Sequence, residues 1–379
     1  MPADPCSRQT PGRGPLNLGS PFAVYTGMRV SDLGSSLVAC LLASLGLCHC
    51  GSQPAGSAAP GGSGGSGAAG AGGQTGTAAA SGSSGSGSVS LGAGPRIGEC
   101  TVFPADNAWN QDVSQLPVHA NSDRIIDAIG RDEHVHPDFG TEWEGAPIGI
   151  PYLTVPAAAP MSEIRFTAYG DESDSGPYPV PRDAPIEGGP DADGDRHVLV
   201  VDTDACVLYE LYRAFPASGG AWEADSGAVF DLRTNDQHPF TWTSADAAGL
   251  PIFPGLVRYD EVALAGELRH AVRFTVSRSR AALIAPARHY ASSNTSADLP
   301  PMGLRLRMKQ SFDCASYSSV ARIICDGLKR YGLLVADNGS DWYLSGAPDP
   351  RWDDDALGDL KQIPGDAFEV VDTGPIQTY

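Results

Sequence analysis

The sequence predicts a mainly β fold, either a β-sandwich or a β-rich α+β domain, with antiparallel sheets, a few short helices and long Pro-rich loops. Three observations lead to this prediction. Short apolar runs recur between residues 150 and 371, separated by Gly, Pro, Asn and Asp. Most neighbouring runs are joined by turns or loops rather than by helices, which favours antiparallel pairing. Apolar residues at helical spacing are confined to a few short segments.

The clearest predicted element is a β-hairpin within residues 191–212. An apolar run at residues 198–201 is followed by a polar corner at residues 202–204 and a second apolar run. His197 stands at the mouth of this hairpin, and Glu210 lies between two hydrophobic residues of its second strand. Ionisable groups are uncommon on core strands, so we expect a site near this sheet.

The remaining elements are predicted from the same patterns. Further strands are expected at residues 150–155, 163–169, 228–232, 256–259, 270–276, 304–308, 333–336, 342–344 and 368–371. A first helix is expected to begin after Asn121 and to end at Gly130. A second is expected over residues 318–331 with a Ser cap, and a third near residues 354–363. The many prolines between residues 174 and 195 predict an ordered, extended loop.

Composition divides the chain into three parts. Residues 1–50 are an N-terminal extension plus a signal peptide, whose apolar core at residues 37–47 is too short to span a membrane. Residues 51–96 are a Gly/Ser/Ala linker that cannot bury enough apolar surface to fold. Residues 97–379 form a single globular β-rich domain. Cys48 or Cys50, between signal and linker, is a candidate for lipidation, although the residues that precede them depart from the usual lipoprotein pattern.

The formal net charge is −20, and Asp4 and Asp32 are the only acidic residues before residue 97. A domain this acidic repels phosphate backbones and anionic lipid headgroups, so nucleic acid is excluded as a partner and a membrane is expected only through a lipid anchor. The charge is explained by solubility outside the cell or, as an alternative, by divalent cations.

Four cysteines fall in the folded part, namely Cys100, Cys206, Cys314 and Cys325. In an exported chain an even number of cysteines without a C-x-x-C spacing indicates disulfides rather than a metal site. Cys314 and Cys325 would close a short local loop, which leaves Cys100 to pair with Cys206. Four cysteines allow three pairings, so the sequence alone does not fix them.

Carboxylates on a sheet are the first candidates for chemistry. Hydrolysis of a glycosidic bond needs one carboxyl group as acid and a second as nucleophile or base. The candidate catalytic residues are Glu210, Asp246, Asp260 and His197. Candidate substrate-binding residues are Trp242 and Tyr259, which flank these acids, and Arg305 and Arg307, which give one strand a basic face. Alternatively the aromatic residues are core, and the two arginines pair internally or bind an anionic sugar.

Two weaker patterns concern metals. Asp191, Asp193 and Asp195 alternate like the oxygen ligands of a calcium loop, but Arg196 occupies the position that requires Gly in an EF-hand. The sequence requires no cofactor, and Ca²⁺ is the candidate ion for these aspartates. His134, His136 and Asp138 could instead begin a catalytic zinc site, although His-x-His in a loop is more often plain surface.

Three stretches carry a resemblance: TSADAAGLPIFPGLVRYDE, PPMGLRLRMK and VADNGSDWYLSGAPDPRWDDD. With them in view, residues 100–374 resemble a family of uncharacterised exported bacterial proteins or lipoproteins. The resemblance implies export to the cell envelope or the extracellular space. It implies no activity and assigns no catalytic residue.

The sequence therefore favours an exported, envelope-anchored protein that acts on or binds extracellular polysaccharide or cell-wall glycan, with Glu210 and Asp246 as the acid and base of a glycoside hydrolase. One alternative is a non-enzymatic module that binds glycan or mediates surface interactions. A second alternative is a metal-dependent hydrolase. The sequence predicts no particular oligomeric state.

Overall fold

The computed structural model describes residues 94–379. The predicted extension and signal peptide, nearly all of the predicted linker, and Cys48 and Cys50 lie outside these residues.

The described chain is β-rich, as the sequence predicts, and its α-helices lie before residue 130 and after residue 318. The strands are β1 Arg96–Ile97, β2 Cys100–Thr101, β3 His136–Asp138, β4 Glu142–Trp143, β5 Ala146–Pro147, β6 Tyr152–Val155, β7 Ile164–Phe166, β8 Val198–Asp202, β9 Val207–Tyr212, β10 Phe215–Pro216, β11 Trp222–Ala224, β12 Ser226–Asp231, β13 Val272–Val276, β14 Arg280–Leu283, β15 Pro301–Met302, β16 Arg305–Met308, β17 Leu333–Asn338, β18 Tyr343–Ser345 and β19 Phe368–Val370. The α-helices are α1 Ser122–Ile129, α2 Ser319–Arg330 and α3 Asp354–Gly358.

Two sheets dominate the described part. One has six strands in the order β19-β16-β17-β13-β18-β3, and the other has four in the order β12-β9-β8-β6. Antiparallel and parallel ladders occur in both, including the parallel pairs β13 with β17, β18 with β3, and β6 with β8. The β-rich class is confirmed, while the sheets are more mixed than expected because long connections bring distant strands side by side.

The predicted hairpin consists of β8 and β9, which pair antiparallel from Val198 opposite Leu211 to Asp202 opposite Val207. All five residues of β8 are buried. Leu199 and Val201 belong to the larger hydrophobic core, whereas Val198 and Val200 belong to a smaller one on the other side. The continuous apolar run arises because this strand is covered on both faces.

Two of the predicted helix-end signals are confirmed, whereas Asn121 at the start of α1 makes no capping hydrogen bond with its side chain. The Ser318 hydroxyl accepts a hydrogen bond from the Ala321 amide at the start of α2. Gly130 follows α1 with a φ of 119°, a left-handed conformation that glycine adopts without strain.

One local prediction is wrong, and a second is confirmed only in part. Residues 256–259 form no strand, because they lie between a 3-10 turn at Phe253–Gly255 and a π-helical turn at Asp260–Leu264. The last helix is only α3, since the chain continues from Asp359 to Gln362 as a 3-10 turn.

Both expected disulfides are present, Cys100 with Cys206 and Cys314 with Cys325. The first ties the strand β2 to the turn between β8 and β9. Disulfides persist mainly in oxidising compartments, so these bonds are compatible with an extracellular location. Within residues 94–379, the helices are too short or too polar to cross a membrane.

Candidate functional site

A cavity of about 440 Å³ opens beside the sheet that contains β8 and β9. This volume is within the range of ordinary small-molecule sites. Its walls combine aromatic rings with hydroxyl and carboxyl groups, and the lining includes Tyr169, Glu172, Tyr212, Ser226, Thr243, Ser244, Asp246, His289, Tyr290, Ser292 and Asp337.

An arginine at this site holds two of these carboxylates together. Arg273 Nε and Nη2 donate to the two carboxylate oxygens of Asp246, each at 2.8 Å. Nη2 also donates to Asp337 at 3.2 Å, and Nη1 donates to the hydroxyl of Ser345 at 2.7 Å. The carboxyl groups of Asp337 and Asp246 also lie within hydrogen-bonding distance of each other, closer than the two carboxylates that flank a glycosidic bond in glycosidases.

A β-bulge brings Asp337 onto the same face as Arg273. Along the parallel pair β13 and β17, Phe274 lies opposite Val335, but Thr275 lies opposite Asp337, so Ala336 is an extra residue. In a regular ladder that kept Ala336, Thr275 would pair with Ala336, and Asp337 would lie opposite Val276 and point to the other side of the sheet.

The bulge also anchors the loop that carries Asp246. The Ala248 amide donates to the Ala336 carbonyl at 2.9 Å. In the same loop the Ala247 carbonyl contacts Nδ1 of His289 at 2.7 Å. Gly249 has a φ of +66°, and a Cβ atom there would lie 2.5 Å from the Trp242 carbonyl oxygen, so only glycine fits this turn.

Of the two acids on Arg273, only Asp337 is accessible. Its side chain is 15% exposed, whereas that of Asp246 is fully buried. Burial raises the pKa of Asp337 well above its usual range, and the charges of Asp246 and Asp195 raise it further, while Arg273 opposes them. At the surface of the cavity, therefore, the Asp337 carboxyl group favours its protonated form.

His197 links three segments of the chain at this site through hydrogen bonds. Its Nδ1 lies 2.6 Å from Glu187 Oε2, in the Pro-rich loop, and its Nε2 lies 3.0 Å from the carbonyl oxygen of Ala245, next to Asp246. Burial alone would lower the pKa of His197, but the charge of Glu187 and its hydrogen bond outweigh burial and raise this pKa to about 9. The imidazolium form donates from both nitrogens, as these two acceptors require.

Asp138 adds a further carboxyl group on the side of the shared arginine. It is the last residue of β3 and pairs with Ser345, whose hydroxyl accepts from Arg273. Asp138 remains accessible to water, yet the surrounding protein atoms raise its pKa to about 6, with a contribution from the charge of Glu187.

Among the four predicted catalytic residues, Asp246 and His197 belong to this site, Glu210 lies beneath it, and Asp260 lies elsewhere. Glu210 is fully buried and accepts hydrogen bonds from the Ile252 and Phe253 amides at 2.9 Å. Burial raises the pKa of Glu210 to about 7, against the lowering effect of those amides. Glu210 therefore holds the backbone after the Asp246 loop and has no access to a substrate.

Asp260 and the predicted aromatic residues do not line the cavity. Asp260 is exposed and bonds to Arg351, whose guanidinium also lies 4.3 Å from the ring centre of Tyr259. Trp242 is half-buried and its ring lies against His238.

The prediction of a basic strand face is wrong, because both arginines point into the protein. Arg305 is 1% exposed and donates to the carbonyls of Tyr331 and Ala108. Arg307 is 8% exposed and pairs with Glu369. Their function is to satisfy buried acceptors, and the alternative of internal pairing is confirmed for Arg307.

The residues predicted as metal ligands do not form a metal site. Within residues 94–379, no group of three or more His, Cys, Asp or Glu side chains is arranged to hold a metal ion. The side chains of Asp191, Asp193 and Asp195 are exposed. His134 is exposed as well, and the ring of His136 stacks on Tyr343 with 4.2 Å between centres.

Sequence reasoning missed Arg273, Asp337 and Glu187. A signal existed for the first, because Arg273 interrupts the apolar run AVRFTV. Asp337 follows the apolar run of β17, but the residues Asp337-Asn338-Gly339 have the composition of a turn. Asp195, a predicted calcium ligand, lies close enough to Asp337 for its charge to raise the pKa of that group.

No family model, curated protein or solved structure matches this chain.

Proposed function

We propose that this protein is an exported hydrolase that cleaves glycosidic bonds in an extracellular glycan, with Asp337 as the general acid. The observation that carries the proposal is the accessible carboxyl group of Asp337, held on Arg273 beside the buried carboxylate of Asp246 at the wall of the cavity. Asp246 and Arg273 act as positioning residues, because their charged groups are buried and bonded to each other.

The reaction needs one proton donor and one acceptor. Asp337 would donate its proton to the glycosidic oxygen as the carbon–oxygen bond breaks. A water molecule would attack the sugar carbon and pass its proton to a second carboxylate. Asp195 is our candidate for this base, since it is exposed and its charge acts on both Asp337 and Tyr212.

A sugar fits the lining of this cavity. Tyr212 and Tyr290 offer aromatic surface, and the carboxylates and serine hydroxyls offer acceptors for sugar hydroxyl groups. The acids of the site outnumber its two cations, Arg273 and His197. A neutral or amine-bearing glycan is therefore favoured over one rich in uronic acids.

The sequence and the disulfides support the proposed location. The signal-like segment at residues 37–47 precedes Cys48 and Cys50, and the folded part contains two disulfides. We propose attachment to the cell envelope through lipid on Cys48 or Cys50.

The test is release of reducing ends from a panel of neutral, amino and acidic polysaccharides. We expect turnover by the native protein and a loss of about 10²–10⁴-fold in Asp337→Asn, the usual contribution of a general acid. Asp195→Asn should also be impaired. Asp260→Asn is the matched control, because Asp260 is an exposed, ion-paired aspartate outside the cavity, and it should retain full activity.

A glycan-binding module is the second candidate, supported by the tyrosine rings of the cavity wall. If the native protein binds a polysaccharide of the panel and releases no reducing ends, the enzymatic proposal is wrong and the binding module stands.

A further inference from the structure

An aromatic surface adjoins the cavity on one side. Tyr379 is 53% exposed, and its ring stacks on Tyr290 with 4.3 Å between centres. Phe240, which is 36% exposed, meets the ring of Tyr379 edge to face at 5.7 Å. We call Phe240, Tyr290 and Tyr379 the aromatic ledge. Exposed aromatic groups in contact with each other are more informative than single ones, because they keep a continuous apolar patch in water.

The two tyrosines of the ledge hold each other in place. The Tyr290 amide donates to Oη of Tyr379 at 3.3 Å, and the Tyr290 hydroxyl donates to the Tyr379 carbonyl at 2.8 Å. Nearby, Gln377 and Leu283 exchange backbone hydrogen bonds at 2.8 and 2.9 Å. The ledge is thus ordered before any ligand arrives, which lowers the entropic cost of binding.

The ledge is continuous with the cavity. Tyr290 belongs to both, and its neighbour His289 lines the cavity while its ring lies 6.2 Å from that of Tyr379. Glu172, another lining residue, is close enough for its charge to act on the Tyr379 hydroxyl. A ligand that fills the cavity and extends past Tyr290 would therefore reach Tyr379.

Polar groups stand beside the ledge. The guanidinium of Arg288 lies 5.4 Å from the ring centre of Phe240 and donates to Gln237 at 3.2 Å. An apolar face flanked by hydrogen-bonding groups matches a sugar ring, whose C–H face is apolar and whose edge carries hydroxyls.

We propose that the aromatic ledge is a second sugar subsite, which binds a unit of the same glycan chain whose neighbouring unit occupies the cavity. The proposal rests on the proposed function and specifies its substrate as a linear oligomer or polymer rather than a single sugar. Tyr379 supplies the principal stacking surface, and Phe240 supports its edge.

The test compares the affinities of a disaccharide and a hexasaccharide by calorimetry, with β-1,4-linked glucose and glucosamine oligosaccharides as probes, in proteins that all carry Asp337→Asn so that the probes are not hydrolysed. We expect Asp337→Asn with an intact ledge to prefer the hexasaccharide. Tyr379→Ala should lower hexasaccharide affinity about tenfold, the value of one good aromatic contact, and leave disaccharide affinity unchanged. Tyr379→Phe should keep the preference, because it retains the ring.

Phe240→Ala should also reduce the preference for the hexasaccharide, but by less than Tyr379→Ala does. Trp143→Ala is the control for loss of an exposed aromatic ring, because Trp143 is 72% exposed and outside the cavity lining. A preference for the hexasaccharide that survives Tyr379→Ala in a protein with native melting behaviour would overturn the ledge and leave the cavity proposal intact. A native protein that binds none of the probes and cleaves no polysaccharide would overturn both.

Discussion

The Asp246 carboxylate and the Arg273 guanidinium form two parallel hydrogen bonds of 2.8 Å inside the protein, out of reach of water. Breaking one side of such a pair leaves the other charge buried and unpaired. We expect Arg273→Leu to lower the free energy of unfolding by about 3–5 kcal/mol.

Chemical denaturation of both single variants and of Arg273→Leu/Asp246→Leu measures this coupling. The double variant should lose less than the sum of the single losses, since neither charge is then left alone. Additive losses would show that the two groups do not depend on each other.

His197 should make stability depend on pH in the alkaline range. Its pKa is raised from 6.5 to about 9 in the folded protein, so its stabilising effect is complete below pH 6.5 and is lost as the pH rises through 9. The loss amounts to about 3 kcal/mol. Denaturation at several pH values across this range should show that the free energy of unfolding depends less on pH in His197→Asn. His134→Asn is the control, because His134 is exposed, and it should leave the pH dependence unchanged.

Glu210 should change stability in the same direction as His197, but at lower pH. Its pKa rises from 4.5 to about 7 on folding, so its ionisation costs stability as the pH rises through this interval, by about 3 kcal/mol. Glu210→Gln should remove that slope. Glu210→Leu should instead destabilise at every pH, because it leaves the Ile252 and Phe253 amides without an acceptor. Equal pH profiles for the native protein and Glu210→Gln would refute this assignment.

Substitution of Gly249 by alanine should destabilise the protein far more than the same substitution at an exposed glycine of similar conformation. Gly249→Ala places a methyl group against the Trp242 carbonyl, so the Asp246 loop must move as well as adopt a strained φ. Gly145 has a φ of +85° and open space around it, so Gly145→Ala has only the strain, about 1–2 kcal/mol. Thermal unfolding of both variants should show the larger loss for Gly249→Ala, and similar losses would contradict the close contact.

The sequence predicts those parts of the fold that depend on neighbouring residues. The hairpin of β8 and β9, the cap at Ser318 and the disulfide between Cys314 and Cys325 each involve residues close together in the chain. Residue type and spacing are sufficient evidence for such features.

The candidate site was only partly predictable, because distant segments form it. Asp246 and His197 are apparent as charges in apolar surroundings, but Arg273 and Asp337 meet through a parallel pairing of β13 with β17. That pairing depends on how the whole sheet packs, and no local pattern encodes it. For the same reason the sequence predicts a solvent-facing Arg305, although β16 lies inside a sheet between β17 and β19 and Arg305 is buried.

The extra residue at Ala336 links the acid site to a neighbouring loop through one backbone hydrogen bond. Deleting this residue would restore regular pairing and leave the following aspartate opposite Thr275, on the face of Arg273, but it would remove the carbonyl that accepts from the Ala248 amide. One in-frame deletion would thus keep the acid on its strand and release the loop that carries Asp246, so the two halves of the site can change separately in evolution.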